Sequence, residues 1–529
     1  MADGSTGGRD VLFVVLDTVR KDHLTPYGYD RPTTPTLERF AEEALVYEQA
    51  VAQAPWTLPV HASMFTGRYP AEHAATQESP YLPDDVGTLA ESLSAEGYAT
   101  ACYSSNAWIT PYTRLTAGFD DQDNFFEVLP GDALSGVAAT LWERVTDGRL
   151  RPLADRLVEL GNEVHEHLAG GDGADSKTPA IVDRVCDFVD DHAGADDRWF
   201  AFVNLMDAHL PYYPPETYRE EFAPGVDPDA VCQNSKEYNA GAREIDDEEW
   251  EAIRGLYDAE VRHMDAELER LFAHLRRTGQ WEETTVVVCA DHGELHGEHG
   301  LFGHEFCIYE PLVNVPLLVK HPELAPGRTD EQVELLDLYD TVLDAAAATG
   351  TPERVGARPF EPGRSLLTDG RNVTDGEYAF VDYHRPIVEL RQLETKARKA
   401  GVDLEQDSRF YSRMRAARRP DAKYIRNERI PDEAYRLDVD PGESDPVAVP
   451  DDDPDDPLAE TRAALKRFET NHAGGWADED GDGDASAEGD RTADGDAPAD
   501  GDAPADADEA LEGMDDSARD RLRDLGYLE

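Results

Sequence analysis

Lysine is scarce in this chain, 8 residues against 41 arginines, and together they face 112 Asp and Glu for a formal charge of −63. So few cations exclude bulk binding to a polyanion, because neutralising phosphates needs clustered Lys and Arg. No nucleic-acid partner is expected. Cysteine is sparse as well. Cys102, Cys186, Cys232, Cys289 and Cys307 are odd in number, widely spaced and without a CxxC pair, which argues against a disulfide framework or a zinc ribbon. They read as reduced, mostly buried thiols. Long apolar runs are also missing: the first, 11–16, is far too short for a signal peptide or a membrane span, and the MADGSTGGRD before it has no basic n-region. The sequence therefore predicts a cytoplasmic protein with no membrane span.

The acidity that is present would make the chain repel itself in dilute buffer, but a Debye length of roughly 3 Å at 1 M salt quenches that repulsion. The composition reads as adaptation to a salt-rich cytosol of the halophilic kind. With 40% hydrophobic residues gathered into runs, most of the chain has the means to bury a core. Short runs rich in Val, Leu and Phe alternate with segments of helical period, predicting an α/β fold: a mostly parallel central sheet flanked by helices, with a smaller C-terminal antiparallel subdomain. What ends those runs carries the chemistry. VLFVVL stops at Asp17, YATACYSS near Asn106, WFAFVNLM at Asp207 and His209, and TTVVVCA at Asp291 and His292. In open α/β sheets ligands bind outside the carboxyl ends of the strands, so these residues should converge there.

Helices are expected over 35–44, 88–96, 181–191 and 247–278, with a helical insertion over 134–172. Beyond about residue 370 short strands at 378–383, 422–426 and 434–438 suggest the antiparallel subdomain. The expected division is a catalytic α/β domain over 8–365, a small α+β subdomain over 366–475, an acidic linker over 476–510 and a C-terminal helix over 511–529. Residues 478–510 hold 14 acidic residues and one basic one, a composition that cannot offset chain entropy by burial.

The segment APWTLPVHASMFTGRYP, residues 54–70, places Thr57 ahead of Pro59 at the start of a helix, where Thr suits the cap and proline the first turn. A hydroxyl there sits at the positive end of the helix dipole beside free N–H groups able to hold an oxyanion. His61, four residues on, shares its face. Asp17, Asp291 and His292 form a hard site of two carboxylates and one imidazole, suited to Ca²⁺, Mg²⁺, Mn²⁺ or Zn²⁺.

This stretch resembles the signature of the sulfatase family, within the alkaline phosphatase superfamily, in which a nucleophile precedes x-Pro-Ser-Arg and an apolar helix closing in Thr-Gly-Arg. The matching residues are Thr57, Pro59, Val60, His61 and Thr66, Gly67, Arg68. LDTVRKDHLTPYGY (16–29), NLMDAHLPYYPP (204–215) and ADHGELHGEHGLFGHEFCIYEPLVNVPLLV (290–319) resemble further family landmarks in family order, as do EAYRLDVDPGES (433–444) and RLRDLGYL (521–528). The resemblance implies an alkaline-phosphatase-like fold and one divalent metal ion held by Asp17, Thr57, Asp291 and His292. It implies Thr57, His61, His209 and His304 as catalytic residues, with Asn106 and Asp207 binding substrate. Glu294, His296 and His299 would be supporting groups.

The departures from the family matter as much. Sulfatases mature a Cys or Ser into formylglycine, whose hydrate expels sulfate by collapsing to an aldehyde; Thr57 carries a methyl group on that carbon and cannot, so no formylglycine is expected. A threonyl phosphate, by contrast, can be attacked again at phosphorus. The family's arginine is His61 here, its Gly-Lys-Trp-His segment is Ser105-Asn106-Ala107-Trp108, its second cationic lysine is His304, and its tandem Asp pair is Asp17-Thr18. The expected activity is metal-dependent hydrolysis of sulfate or phosphate esters, small or glycan-linked. Thr57 favours phosphoester hydrolysis or phosphoryl transfer. A sulfatase using Thr directly and a non-catalytic anion-binding relative are the alternatives.

Overall fold

The computed structural model describes residues 8–125, 176–193, 198–348, 358–368, 377–450, 453–474 and 476. The expected 134–172 insertion, most of the acidic linker and the C-terminal helix lie outside the described residues.

Eight strands form the main sheet: β1 (Asp10–Leu16), β2 (Leu45–Val51), β3 (Ala99–Ser104), β4 (Asp121–Asn124), β5 (Trp199–Leu205), β6 (Thr284–Cys289), β9 (Asn314–Lys320) and β10 (Gly327–Glu334). Between β6 and β9 a short hairpin is made by β7 (Leu295–His296) and β8 (Phe302–Gly303). The spatial order is β10-β2-β9-β6-β1-β5-β3-β4, and β9 runs against its neighbours. Strands β1, β5 and β6 are buried along their whole length, as expected where helices cover both faces of a parallel sheet. The register pairs Leu16 with Leu205 and Val15 with Cys289, so the runs ending at Asp17, the 207–209 turn and Asp291 stop at one edge.

The helices follow local rules. Thr88 caps Leu89–Ala95 by accepting from Glu91 N–H at 3.2 Å while the Glu91 carboxylate accepts from Thr88 N–H at 3.0 Å. The Asp247–Thr278 helix begins behind Asp246, whose side chain accepts from Glu249 N–H, and ends at Gly279 with φ 77°. Its acidic first turn and its last-turn Arg276 and Arg277 complement the helix dipole. It packs on Thr178–His192, while Thr57–Thr66, Leu89–Ala95 and Leu338–Ala345 pack on one another.

The C-terminal sheet is antiparallel, in the order β11 (Ala379–Tyr383), β12 (Met414–Arg419), β13 (Ala422–Asn427) and β14 (Glu433–Tyr435). Sequence periodicity misses β12, MRAARR, because Arg415 and Arg418 read as solvent-facing. They are instead 3% and 2% exposed, paired with Asp382 and Glu310. The Ile387–Ala400 helix is likewise unanticipated, as is edge strand β10, whose sequence GRTDEQVE is mostly polar.

Charge, not only apolar contact, fastens this second sheet to the first. Arg418 donates to Glu310 and to Gln49 and Gln332 of β2 and β10, and Lys423 pairs with Glu310 at 3.2 Å and Glu443 at 2.9 Å. Asp382 N–H donates to the Gln53 carbonyl at 2.9 Å, anchoring the strand end that leads into Thr57. Removing one partner of a buried ion pair strands the other. Arg418→Ala should therefore lower unfolding stability by about 3–5 kcal/mol, read from urea melts at fixed high salt.

Candidate active site

The carboxyl ends of β6, β1, β5 and β3 deliver Asp291 and His292, Asp17, Asn204, and Asn106 to one edge of the sheet. All five are buried, at 0–2% exposure. Asp17 Oδ2 accepts from Asn106 Nδ2 at 2.8 Å and Asn204 Nδ2 at 3.1 Å. Asp291 Oδ1 accepts from Thr18 N–H at 3.2 Å and from His292 N–H at 2.9 Å. His292 Nδ1 lies 3.0 Å from the Gly293 carbonyl, so it carries the ring proton.

Each of these three side chains thus spends one atom on orientation and keeps another bare. Asp17 Oδ1, Asp291 Oδ2 and His292 Nε2 are buried without hydrogen-bond partners, and His292 Nε2 lies 4.0 Å from Asp17 Oδ1 and 3.5 Å from Asp291 Oδ2. One ligand atom from each residue falls within 4.8 Å of the others, the one such group among the described residues. Bare buried acceptors facing one another are costly unless something positive lies between them. Burial first, then the Asp17 charge, raises the Asp291 carboxyl well above the usual carboxylate range. Burial also drives the His292 imidazole well below its ordinary pKa, into the neutral form that ligates metals. The donor set fits one divalent cation, with the orienting bonds that metal ligands need.

Thr18 supplies part of that orientation at a cost. A buried β-branched residue at φ +57° is an outlier, and it is held by its hydroxyl donating to the Asp17 carbonyl at 2.7 Å and by Tyr257 OH donating to its own carbonyl at 2.9 Å. That left-handed turn points its N–H at Asp291. The Thr18 hydroxyl is spent on backbone.

Thr57 departs from the expected cap. The cap is Trp56, at φ −156° and ψ 163°, and Thr57 is the first residue of the Thr57–Thr66 helix, every residue of which is buried. Its hydroxyl is therefore not tied to the helix's own N–H groups; Asn106 Nδ2 donates to it at 3.3 Å. The same amide holds Asp17, which puts the Thr57 hydroxyl beside the Asp17–Asp291–His292 cluster. His61 Nδ1 sits 2.9 Å from the Thr57 carbonyl and 3.7 Å from Asp291 Oδ2, and its Nε2 is bare. Burial outweighs the Asp17 charge and lowers the His61 pKa to about 4, so at neutral pH it is no cationic replacement for an arginine.

The His304 ring lies tilted against His292, with centroids 4.5 Å apart, and edge-on to His209 at 5.2 Å. Although burial opposes it, the Glu294 carboxylate, 3.0 Å from Nδ1, lifts the His304 pKa to about 9. His209 Nδ1 is fixed by the Leu210 carbonyl at 2.6 Å. The structure does not bring Asp207 into this group: its two oxygens accept from Ser176 and Thr178 hydroxyls, and His263 lies 3.7 Å away. His296 and His299 also face elsewhere, the one bonded to Tyr212 OH at 3.1 Å, the other stacked on Tyr309 at 3.8 Å. Asn204 was missed, although a lone amide at the end of the buried run WFAFVNL is a readable sign of a polar partner.

No helix among the described residues is long and apolar enough to cross a membrane. The chain is 27% identical over 414 residues to the multifunctional alkaline phosphatase superfamily protein PehA of Trinickia caryophylli, covering 69% of this chain and 78% of that one. It is 22% identical to the choline-sulfatase of Rhizobium meliloti, over 76% and 80% of the two chains. Its fold is similar to the phosphonate monoester hydrolase of Agrobacterium radiobacter, with a TM-score of 0.61 at 20% identity over 88% of this chain and 96% of that one. The sulfatase family model spans residues 9–348, which takes in every strand of the main sheet and every residue of the cluster described above, and the chain accordingly belongs to the sulfatase family of ester hydrolases.

Proposed function

We propose that the protein is a metal-dependent hydrolase of phosphoryl esters, mono- or diesters, with Thr57 as its nucleophile. The observation that carries the reading is the Thr57 hydroxyl, freed from capping and held by the same Asn106 amide that donates to Asp17. A relative described as multifunctional within the alkaline phosphatase superfamily agrees with chemistry beyond sulfate esters.

Asp17, Asp291 and His292 would hold the divalent cation. When bound, such an ion supplies charge neutralisation and a more acidic hydroxyl. The chain's own groups do the rest. Asn106 orients the Thr57 oxygen for attack, and the N–H groups of the Thr57–Thr66 helix face the anion. His61 holds the first helical turn through the Thr57 carbonyl. His304, kept protonated by Glu294, and His209 donate to the substrate's oxygens or protonate the leaving oxygen. The Thr57 oxygen, giving up its proton, bonds to phosphorus as the bond to the leaving oxygen breaks; water then attacks phosphorus, the bond to Thr57 breaks, phosphate departs and a proton from that water restores the hydroxyl. Direct sulfate transfer to Thr57 would leave a stable ester without that exit. Free thiols at all five cysteines and an extreme acidic surface agree with a reducing, salt-rich cytosol as the working compartment.

Thr57→Ala should lower kcat by about 10⁴-fold or more on nitrophenyl phosphate, bis-nitrophenyl phosphate or a nitrophenyl phosphonate, measured in high salt, and abolish any covalent phosphate seen by mass spectrometry of the quenched enzyme. Full metal-dependent turnover by Thr57→Ala would refute the assignment. Asn204→Ala should weaken metal affinity about 10–100-fold, read by calorimetric titration of the metal-stripped protein. Raising KCl from 0.1 to 2 M should raise the melting temperature, because screening removes the repulsion of the net −63 charge; a melting temperature independent of salt would contradict that account.

A further inference from the structure

Glu305 follows His304 in the chain and is 7% exposed. Its Oε1 accepts from Lys236 Nζ and from Ser235 Oγ at 3.4 Å, but its Oε2 is buried with no hydrogen-bond partner. Glu310 and Asp265 have both carboxylate oxygens engaged, whereas Glu305, like Glu294 in the same loop, has one oxygen without a hydrogen bond. Glu305 keeps one acceptor bare beside the histidines of the candidate active site.

Its surroundings preserve that state. Gly303, at φ +89°, leaves the space: a Cβ there would come within 2.6 Å of Oε2. Burial raises the Glu305 pKa, but the charges of Lys236, His304 and His209 overcome it and hold the carboxyl at about 2. An ionised carboxylate only accepts hydrogen bonds. The ion pair with Lys236 fixes one oxygen, so the other has a defined position and no hydrogen-bond partner among the described residues. An unpaired polar atom in a closed site discriminates strongly, since a ligand that brings no donor leaves it desolvated and unmatched.

We propose that Glu305 determines leaving-group specificity, its Oε2 accepting a hydrogen bond from a hydroxyl or ammonium donor carried by the part of the substrate that departs beside His304. The inference rests on the ester-hydrolase reading above, and its test separates the two. Nitrophenyl esters first establish which oxyacid the wild-type enzyme releases; absence of turnover on all of them counts against the function, not against this subsite. Propyl, 2-hydroxyethyl and 2-aminoethyl monoesters of that oxyacid then differ only in the donor at the far end. We expect the wild-type kcat/KM to favour one or both donor-bearing esters over the propyl ester by tenfold or more, the hydroxyl and ammonium arms telling a polyol from an amino-alcohol substrate. In Glu305→Gln, which can present an amide donor in place of the acceptor, that ratio should fall at least tenfold. Glu305→Asp keeps the charge and withdraws the oxygen, and should move the ratio the same way if Glu305→Gln does not fold. A wild-type ratio below tenfold, or a ratio that falls less than tenfold in the variants that fold, overturns the proposal. So does failure of both variants to fold, which would assign the Lys236–Glu305 pair to stability.

Discussion

Three buried lone pairs that nothing among the described residues satisfies organise this molecule: Asp17 Oδ1, Asp291 Oδ2 and His292 Nε2. Bringing two carboxylates together in a dry interior is unfavourable, and the rest of the local structure reads as the means of enforcing it. Asn106 and Asn204 grip one Asp17 oxygen; Thr18, in a left-handed turn, and the His292 amide grip one Asp291 oxygen. Each grip fixes a side chain from behind and leaves its other atom facing inward. The parallel strands make this possible because their ends are spaced at hydrogen-bonding distance along a single edge.

The same economy of groups runs through the side chains around that cluster. The Asn106 amide reaches both Asp17 and Thr57, so the position of the hydroxyl is tied to that of the carboxylate. Trp56 takes over the extended cap conformation and leaves Thr57 inside the first turn with its hydroxyl uncommitted. Where a family cation would stand, this chain has the neutral His61 and the amide of Asn106. Positive charge is concentrated instead in His304, through Glu294, and in Lys236, through Glu305. The C-terminal sheet contributes from further out, its Arg418 and Lys423 converging on Glu310 and its Asp382 holding the strand that leads to Thr57.

Part of this is legible in the sequence. The four apolar runs predict the parallel strands β1, β3, β5 and β6, and the polar residues that end them, Asp207 excepted, gather at one edge of the sheet. The Asp247–Thr278 helix has the bounds its amphipathic pattern predicts. Other parts were not legible. β12 reads as a basic surface stretch because periodicity registers residue type and cannot know that Asp382 and Glu310 will neutralise Arg415 and Arg418. Asp207 has the chemistry of a ligand, but a chain neighbour two residues from His209 is free to turn the other way, and it turns to Ser176 and Thr178.

By itself the sequence determined the residue types at the strand ends and the order in which the strands would present them, and it put a methyl group on the Thr57 carbinol carbon, which is a matter of covalent structure. Only the tertiary structure decided which of those residues meet, which atom of each is spent on a partner, and which is left bare. The reason is physical: strand ends far apart in sequence become neighbours through sheet register, and whether a buried oxygen is satisfied depends on donors, such as Asn204, Thr18 and Lys236, that local sequence does not connect to it.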